Sequence, residues 1–153
     1  MVDVDGVISL FAGGWETAEG SFHSIEGIPH FLSATAASHL LGLAEDFELV
    51  WASGWEERAD EHLPHLLGLP AGLPFLRFER AVGRANAHWK LEAIDAFAAG
   101  RPLAWLDDCI DDACRAWADA RGAPTLLVRT RPERGLTAAE ARLLRSWARS
   151  LAA

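Results

Sequence analysis

Short apolar runs and longer amphipathic segments take turns along this chain. The short runs, bounded by turn residues, read as buried strands, and the longer segments read as helices. Strands are predicted at Met1–Val4, Phe47–Ala52, Pro74–Phe78, Leu103–Leu106 and Thr125–Val128. Helices are predicted at Ala34–Leu41 (ended by Gly42), Glu56–Leu66, His88–Ala99, Ile110–Ala120 and Thr137–Leu151. Gly100 and Gly122 follow two of these helices, where glycine suits a C-terminal cap. Thr137 and Glu140 have the spacing of a capping box. Residues 6–30 are Gly-rich and read as an irregular, flap-like loop with a small hairpin around Ser21–Ile25. Strands separated by helices imply a parallel sheet, right-handed crossovers and helices on both faces. The expected fold is α/β: a three-layer α/β/α sandwich around a central, mostly parallel five-stranded sheet.

Ligands of such sheets bind beyond the carboxyl ends of the strands. Three polar groups follow predicted strand ends here. Asp3 and Asp5 flank Val4, and strand alternation lets both point the same way. Such a pair can hold a hard cation, or divide labour as nucleophile and general acid. Taken alone, Asp3-Val4-Asp5-Gly6 is equally a solvated turn. Ser53 and Gly54 follow the run Phe47–Ala52 and precede a helix. A hydroxyl and free backbone N–H groups there suit an anion such as phosphate, and a serine there is also a common helix N-cap. Asp107 and Asp108 follow Leu103–Leu106, with Asp111 and Asp112 close behind. Four carboxylates so close together are costly without a cation or solvent. Asp111 and Asp112 suit the acidic first turn of the next helix. One cleft can collect the rest.

Composition sharpens this picture at one residue. Of 14 Lys plus Arg, 13 are Arg, and the single lysine is Lys90 in His88-Trp89-Lys90-Leu91. An ammonium is a compact point charge and a guanidinium a broad fork, so a tight site selects lysine. A lone surface lysine is the alternative. The 153 residues fit one domain, and at 50% apolar content disorder is not expected. No apolar run approaches the roughly 20 residues that span a bilayer. Met1-Val2-Asp3 shows neither a basic region nor an apolar signal core, so a cytoplasmic protein is expected. The net charge of −8 argues against a broad basic surface for nucleic acid or anionic membrane, while leaving room for one local phosphate pocket. Cys109 and Cys114 lack zinc-ligand spacing and read as reduced, buried or half-buried side chains.

The ordered set of Asp3 and Asp5, then Ser53, then Lys90, then Asp107-Asp108 resembles the haloacid dehalogenase (HAD) superfamily, mostly phosphatases. The resemblance covers almost the whole chain, and the ordered set is more specific than any one of its motifs. It implies a Rossmann-like domain over residues 1–153 and a Mg²⁺-dependent phosphatase. By this resemblance Asp3 is the nucleophile that becomes an aspartyl-phosphate, and Asp5 is the general acid and then base. Ser53 and Gly54 would bind phosphate. Lys90 would steady the nucleophile and the phosphoryl group. Asp3, Asp5 (through its carbonyl), Asp107 and Asp108 would hold Mg²⁺. Asp5 separates the chain from the dehalogenating branch, which lacks an acid there. Two departures stand out: only two residues precede Asp3, fewer than the family's usual strand, and position 7 is Val.

Neither the gap from Asp3 to Ser53 nor the gap from Phe78 to Lys90 holds a folded cap domain. The resemblance therefore implies an open site, a macromolecular phosphorylated substrate, or a lid borrowed from a partner or second subunit. An end-processing nucleic-acid phosphatase working with a partner and a non-catalytic binding module are the competing readings. Trp15, Trp55 and Trp89 lie close in sequence to motif positions and either wall the cleft or pack in the core. His23 and His30 read as polar loop residues. Arg84 and Asn86 precede Lys90, where they could touch a second phosphate.

Overall fold

The structure is a computed structural model and describes residues 1–79 and 86–152. Its elements, in chain order, are β1 (Ser9–Leu10), β2 (Gly20–Ile25), β3 (Ile28–Ser33), α1 (Ala34–Leu43), α2 (Glu57–Leu67), α3 (Leu91–Ala98), β4 (Leu103–Asp107), α4 (Asp112–Ala120), β5 (Thr125–Arg129) and α5 (Ala138–Ala152). A single 3-10 turn, His88–Lys90, leads into α3. No helix among the described residues is long and apolar enough to cross a membrane.

The fold is α/β, and the five predicted strand segments meet side by side, though only two pair as full strands. β4 and β5 are parallel in register from Leu103↔Thr125 to Asp107↔Arg129. The other three segments join through single parallel bridges, Val2↔Leu106, Val2↔Trp51 and Trp51↔Phe75. Their backbone bonds are short: Asp3 N–H to Leu106 O at 3.0 Å, Ala52 N–H to Val2 O at 2.8 Å, and Leu76 N–H to Trp51 O at 2.9 Å. The expected continuous five-stranded sheet is thus met in part. Pro74 brings no N–H to the ladder.

Alternation along these segments splits the core. Val2, Trp51, Ala104, Leu106 and Val128 pack with Leu40 of α1, Leu63 of α2 and Leu144 of α5. Val50, Ala52, Leu103 and Trp105 pack with Ile94 and Ala98 of α3 and Cys114 of α4. Period-two alternation sends neighbouring side chains to opposite faces, which gives the two clusters.

Residues 6–30 are more regular than the sequence suggests. β1, β3 and β2 form an antiparallel three-stranded sheet in that order, which continues to Ser33. Glu26 and Gly27 close the β2–β3 hairpin with φ of 52° and 81°, the two left-handed residues of a tight turn. Pro29 is tolerated because β1 pairs only with Phe31 and Leu32, leaving Pro29 without an inner neighbour. Gly and Pro at these positions hid the strands.

Other boundaries shift for local reasons. α1 runs through Gly42, where a side chain would meet Arg145 of α5. α4 starts at Asp112 because Asp111 caps it, accepting from Cys114 N–H at 3.0 Å. α5 starts with the expected capping box: Glu140 accepts from both the backbone N–H and the hydroxyl of Thr137.

Candidate active site

The register places Asp3, Ala52 and Asp107 side by side, one residue past the bridged Val2, Trp51 and Leu106. Lys90 reaches this row from the 3-10 turn. That turn is tied to the β4 end by Ala87 N–H donating to Cys109 O at 3.0 Å. The Lys90 ammonium is buried and lies 2.8 Å from Asp3 Oδ2 and 2.6 Å from Asp107 Oδ2. Burial works against its charge, but Asp3 and Asp107 together outweigh it and raise its pKa. One ammonium cannot neutralise two buried carboxylates. Burial and the Asp3 charge push Asp107 up to about 7, with Lys90 pulling the other way.

Asp108 is the next residue and is partly buried, and burial raises its pKa too. Gly6 makes its place: with φ +73°, a Cβ on Gly6 would lie 2.5 Å from Asp108 Cγ. Only glycine combines that backbone with that approach. Thr130, just past β5, donates its hydroxyl to Gly6 O at 2.8 Å, and its N–H goes to Asp107 O at 3.2 Å. Arg129 Nε donates to Asp108 O at 2.9 Å. Thr130 and Arg129 thus fasten the two acidic loops together.

Asp5 is held differently. Its side chain is 51% exposed. Trp55 Nε1 donates to its Oδ2 at 3.0 Å, and His30 Nδ1 of β3 lies 3.9 Å from its Oδ1. The His30 and Trp55 rings meet edge-to-face at 4.7 Å. Trp55 belongs to the turn after Ser53. Ser53 is buried, and its Oγ accepts from Trp55 N–H at 3.4 Å. Gly54 is exposed beside the half-buried Trp89, whose ring lies 5.4 Å from the Lys90 ammonium. Glu56, the next residue, has φ 48° and ψ −127°, a strained backbone for a side-chain-bearing residue.

Asp3, Lys90 and Asp107 are therefore in direct contact, with Asp108 adjacent in the chain. Ser53 and Gly54 lie at the end of the neighbouring segment. Asp5 joins the turn after Ser53 through Trp55. Trp15 instead packs edge-to-face on Phe22 of β2 at 6.0 Å, and His23 pairs with Ser21 at 2.8 Å. Arg84 lies outside the described residues, and Asn86 is half-buried. The parts the sequence did not single out are Thr130, Arg129 and the donor role of Trp55.

A family model described as the HAD domain in Swiss Army Knife RNA repair proteins matches residues 1–141. The chain belongs to this HAD family. No curated protein and no solved structure matches the chain. The match spans every site residue named from the sequence.

HAD hydrolases typically use Mg²⁺, and the donor set of this HAD domain fits a hard cation in its oxygens. Asp107, Asp108 and Cys109 each offer a ligand atom within 4.8 Å of the others. Burial, then the charge of Asp108, pushes the Cys109 thiol up to about 12, so it stays neutral and leaves the hard-cation role to oxygen. Burial raises the pKa of both Asp107 and Asp108, the charge of Asp3 adds to it, and Lys90 pulls the other way.

Proposed function

We propose that this HAD domain is a Mg²⁺-dependent phosphatase that removes a phosphate monoester from a nucleic-acid end presented by a partner. The observation that carries the reading is the buried Lys90 ammonium bridging Asp3 and Asp107 at the ends of adjacent parallel segments. A buried triad of this kind is a poor way to gain stability and a good way to aim a carboxylate at an anion. The substrate class follows the family's RNA repair description. A net charge of −8 favours a partner, or another part of the assembly, as the element that grips the nucleic acid.

In this reading the chain forms one domain without a cap, a five-stranded α/β/α sandwich with residues 6–33 as its flap. Asp3 attacks phosphorus and forms the aspartyl-phosphate, and Asp5 protonates the leaving oxygen and then activates water. Lys90 holds Asp3 in place and offsets charge on the phosphoryl oxygens. The Ser53 hydroxyl and the Gly54 N–H bind the remaining oxygens. Asp3, the Asp5 carbonyl, Asp107 and Asp108 would hold Mg²⁺. Bound there, Mg²⁺ would neutralise the phosphoryl group and let a carboxylate approach it.

The test is hydrolysis of p-nitrophenyl phosphate and of end-phosphorylated RNA, with Mg²⁺ and with EDTA, by wild type and Asp3→Asn. Mg²⁺-dependent release of phosphate by wild type, lost in Asp3→Asn, is the expected result. Folded protein that binds Mg²⁺ yet releases no phosphate from either substrate would refute it in favour of a binding module.

A further inference from the structure

We propose that the turn between β5 and α5 is a track for the phosphates of one RNA strand, and that Phe11 beside it stacks on a base near the reacting end. The inference rests on the reading of the substrate as a nucleic-acid end, and deepens it by naming the surface that meets the strand. Arg129-Thr130-Arg131-Pro132-Glu133-Arg134 carries three arginines against one glutamate, in a chain whose net charge is −8. All three arginines are exposed. Arg58, Arg77, Arg101, Arg115, Arg121 and Arg145 each pair with a carboxylate. Among the described residues Arg131 and Arg134 form no ion pair, and Arg129 gives its Nε to a carbonyl, that of Asp108. A guanidinium in that state presents a planar fork that matches a phosphate.

The turn starts at the site and is fixed in place. Arg129 lies opposite Asp107 in the β4–β5 register, and Thr130 donates its hydroxyl to Gly6 O at 2.8 Å. Arg134 and Gly135 both donate their N–H to Arg131 O, at 2.8 and 2.7 Å, which closes the turn. Leu136 N–H donates to Val7 O at 2.9 Å. A side chain at Gly14 would collide with Glu133 O, and one at Gly135 with Val7 O. The arginines therefore stand on a closed turn pinned to the base of the flap.

The flap supplies the aromatic surface. Phe11 N–H donates to Pro132 O at 3.0 Å, and Phe11 is 43% exposed. Trp15 and Phe22 follow along the flap, edge-to-face at 6.0 Å, with Phe22 59% exposed. Cations that follow a backbone and rings that stack on bases are the two components of single-strand binding. The sequence Asp108, Arg129, turn, Phe11 leads a strand away from the site. A track of this size aligns an end, and the main grip stays with a partner.

The experiment is fluorescence anisotropy of a dye-labelled, end-phosphorylated single-stranded RNA of about ten nucleotides, in EDTA and over a range of KCl concentrations. It compares wild type, Arg131→Gln with Arg134→Gln, and Phe11→Ala. Wild type should bind with a Kd of about 10⁻⁴ M or tighter. The double variant should bind at least about tenfold more weakly, and its slope of log affinity against log salt should flatten by about 1.4, the value of two single-strand phosphate contacts. Phe11→Ala should weaken binding about fivefold or more and leave the slope unchanged. Arg134→Gln alone should give half the change in slope if the double variant does not fold. All three proteins should hydrolyse p-nitrophenyl phosphate, which has no flanking strand, at equal rates. Wild type that does not bind the RNA, or a double variant with wild-type affinity and slope, would overturn this inference and leave the phosphatase reading to its own test. Equal binding of a polyglutamate peptide would overturn it in favour of a protein partner. RNA binding that needs Arg131 and Arg134, in protein that hydrolyses no p-nitrophenyl phosphate or end-phosphorylated RNA, would keep the track and refute the phosphatase reading.

Discussion

Lys90 and Asp5 are held by opposite means. Around Lys90, three charged side chains are shut away from water, with side chains 4%, 10% and 1% exposed for Lys90, Asp3 and Asp107. Asp5 is half exposed and is oriented by a neutral indole. A buried ionic group depends on every member, because removing one leaves an unpaired charge in a low dielectric. A half-exposed carboxylate is rescued by water when one partner goes, so it loses aim before it loses stability. One site therefore combines a part whose charges cannot be removed singly without a large loss of stability with a part whose hydrogen bond carries geometry.

The largest effect should come from Lys90→Met. It leaves Asp3 and Asp107 facing each other without a cation and should cost about 3–5 kcal/mol by urea denaturation, with activity lost. A loss under about 1 kcal/mol would remove the distinction between the two regions, since that is the scale of an exposed pair.

A smaller effect should appear in the pH dependence of metal-free wild type. Asp107 is raised from 3.8 to about 7, so its protonated form is favoured in the folded state. That contribution is fully present below about pH 4 and is lost as pH rises through about 7. The groups held low act in another window: Asp111, at about 2, owes its shift to His88 and Cys114, which outweigh burial. Its contribution is present above about pH 4 and is lost only as pH falls through about 2. Urea midpoints in EDTA should therefore fall from pH 5 to pH 8, and Mg²⁺ should reduce the fall. A flat or rising profile in EDTA would contradict the raised Asp107.

The smallest effect should come from the flap side. Glu26 of the β2–β3 turn pairs with Arg58 of α2 at 2.7 Å, with side chains 53% and 45% exposed. Glu26→Ala should change stability by at most about 1 kcal/mol in a thermal melt. A larger loss would place the flap contact in the same energetic class as Lys90.

The alternation of apolar segments and helices, and the order Asp3, Ser53, Lys90, Asp107, were legible because each is local in sequence. Lys90 stood out by composition alone. Of the antiparallel flap only a small hairpin around Ser21–Ile25 was legible, because Glu26 and Gly27 replace the usual turn pair and Pro29 sits inside a strand. β3 pairs on one side with β2 and on the other with β1, and β1 and β2 are separated by residues 11–19, so no single stretch carries the pattern. The role of Trp55 was hidden for a different reason. Its indole meets Asp5 across 50 positions of sequence, and nothing in Trp55-Glu56-Glu57 signals a donor. Thr130 follows β5 with no motif around it, and only the register of β5 on β4 brings it to Gly6.

The chain's single ε-amino group has a further use. Every other cation in the side chains is a guanidinium, apart from histidines when protonated, and Lys90 is buried between two carboxylates. Amine-directed chemistry therefore meets no surface lysine on this protein. A reagent that modifies a lysine must therefore enter the site, so lysine modification reports site opening without an introduced label.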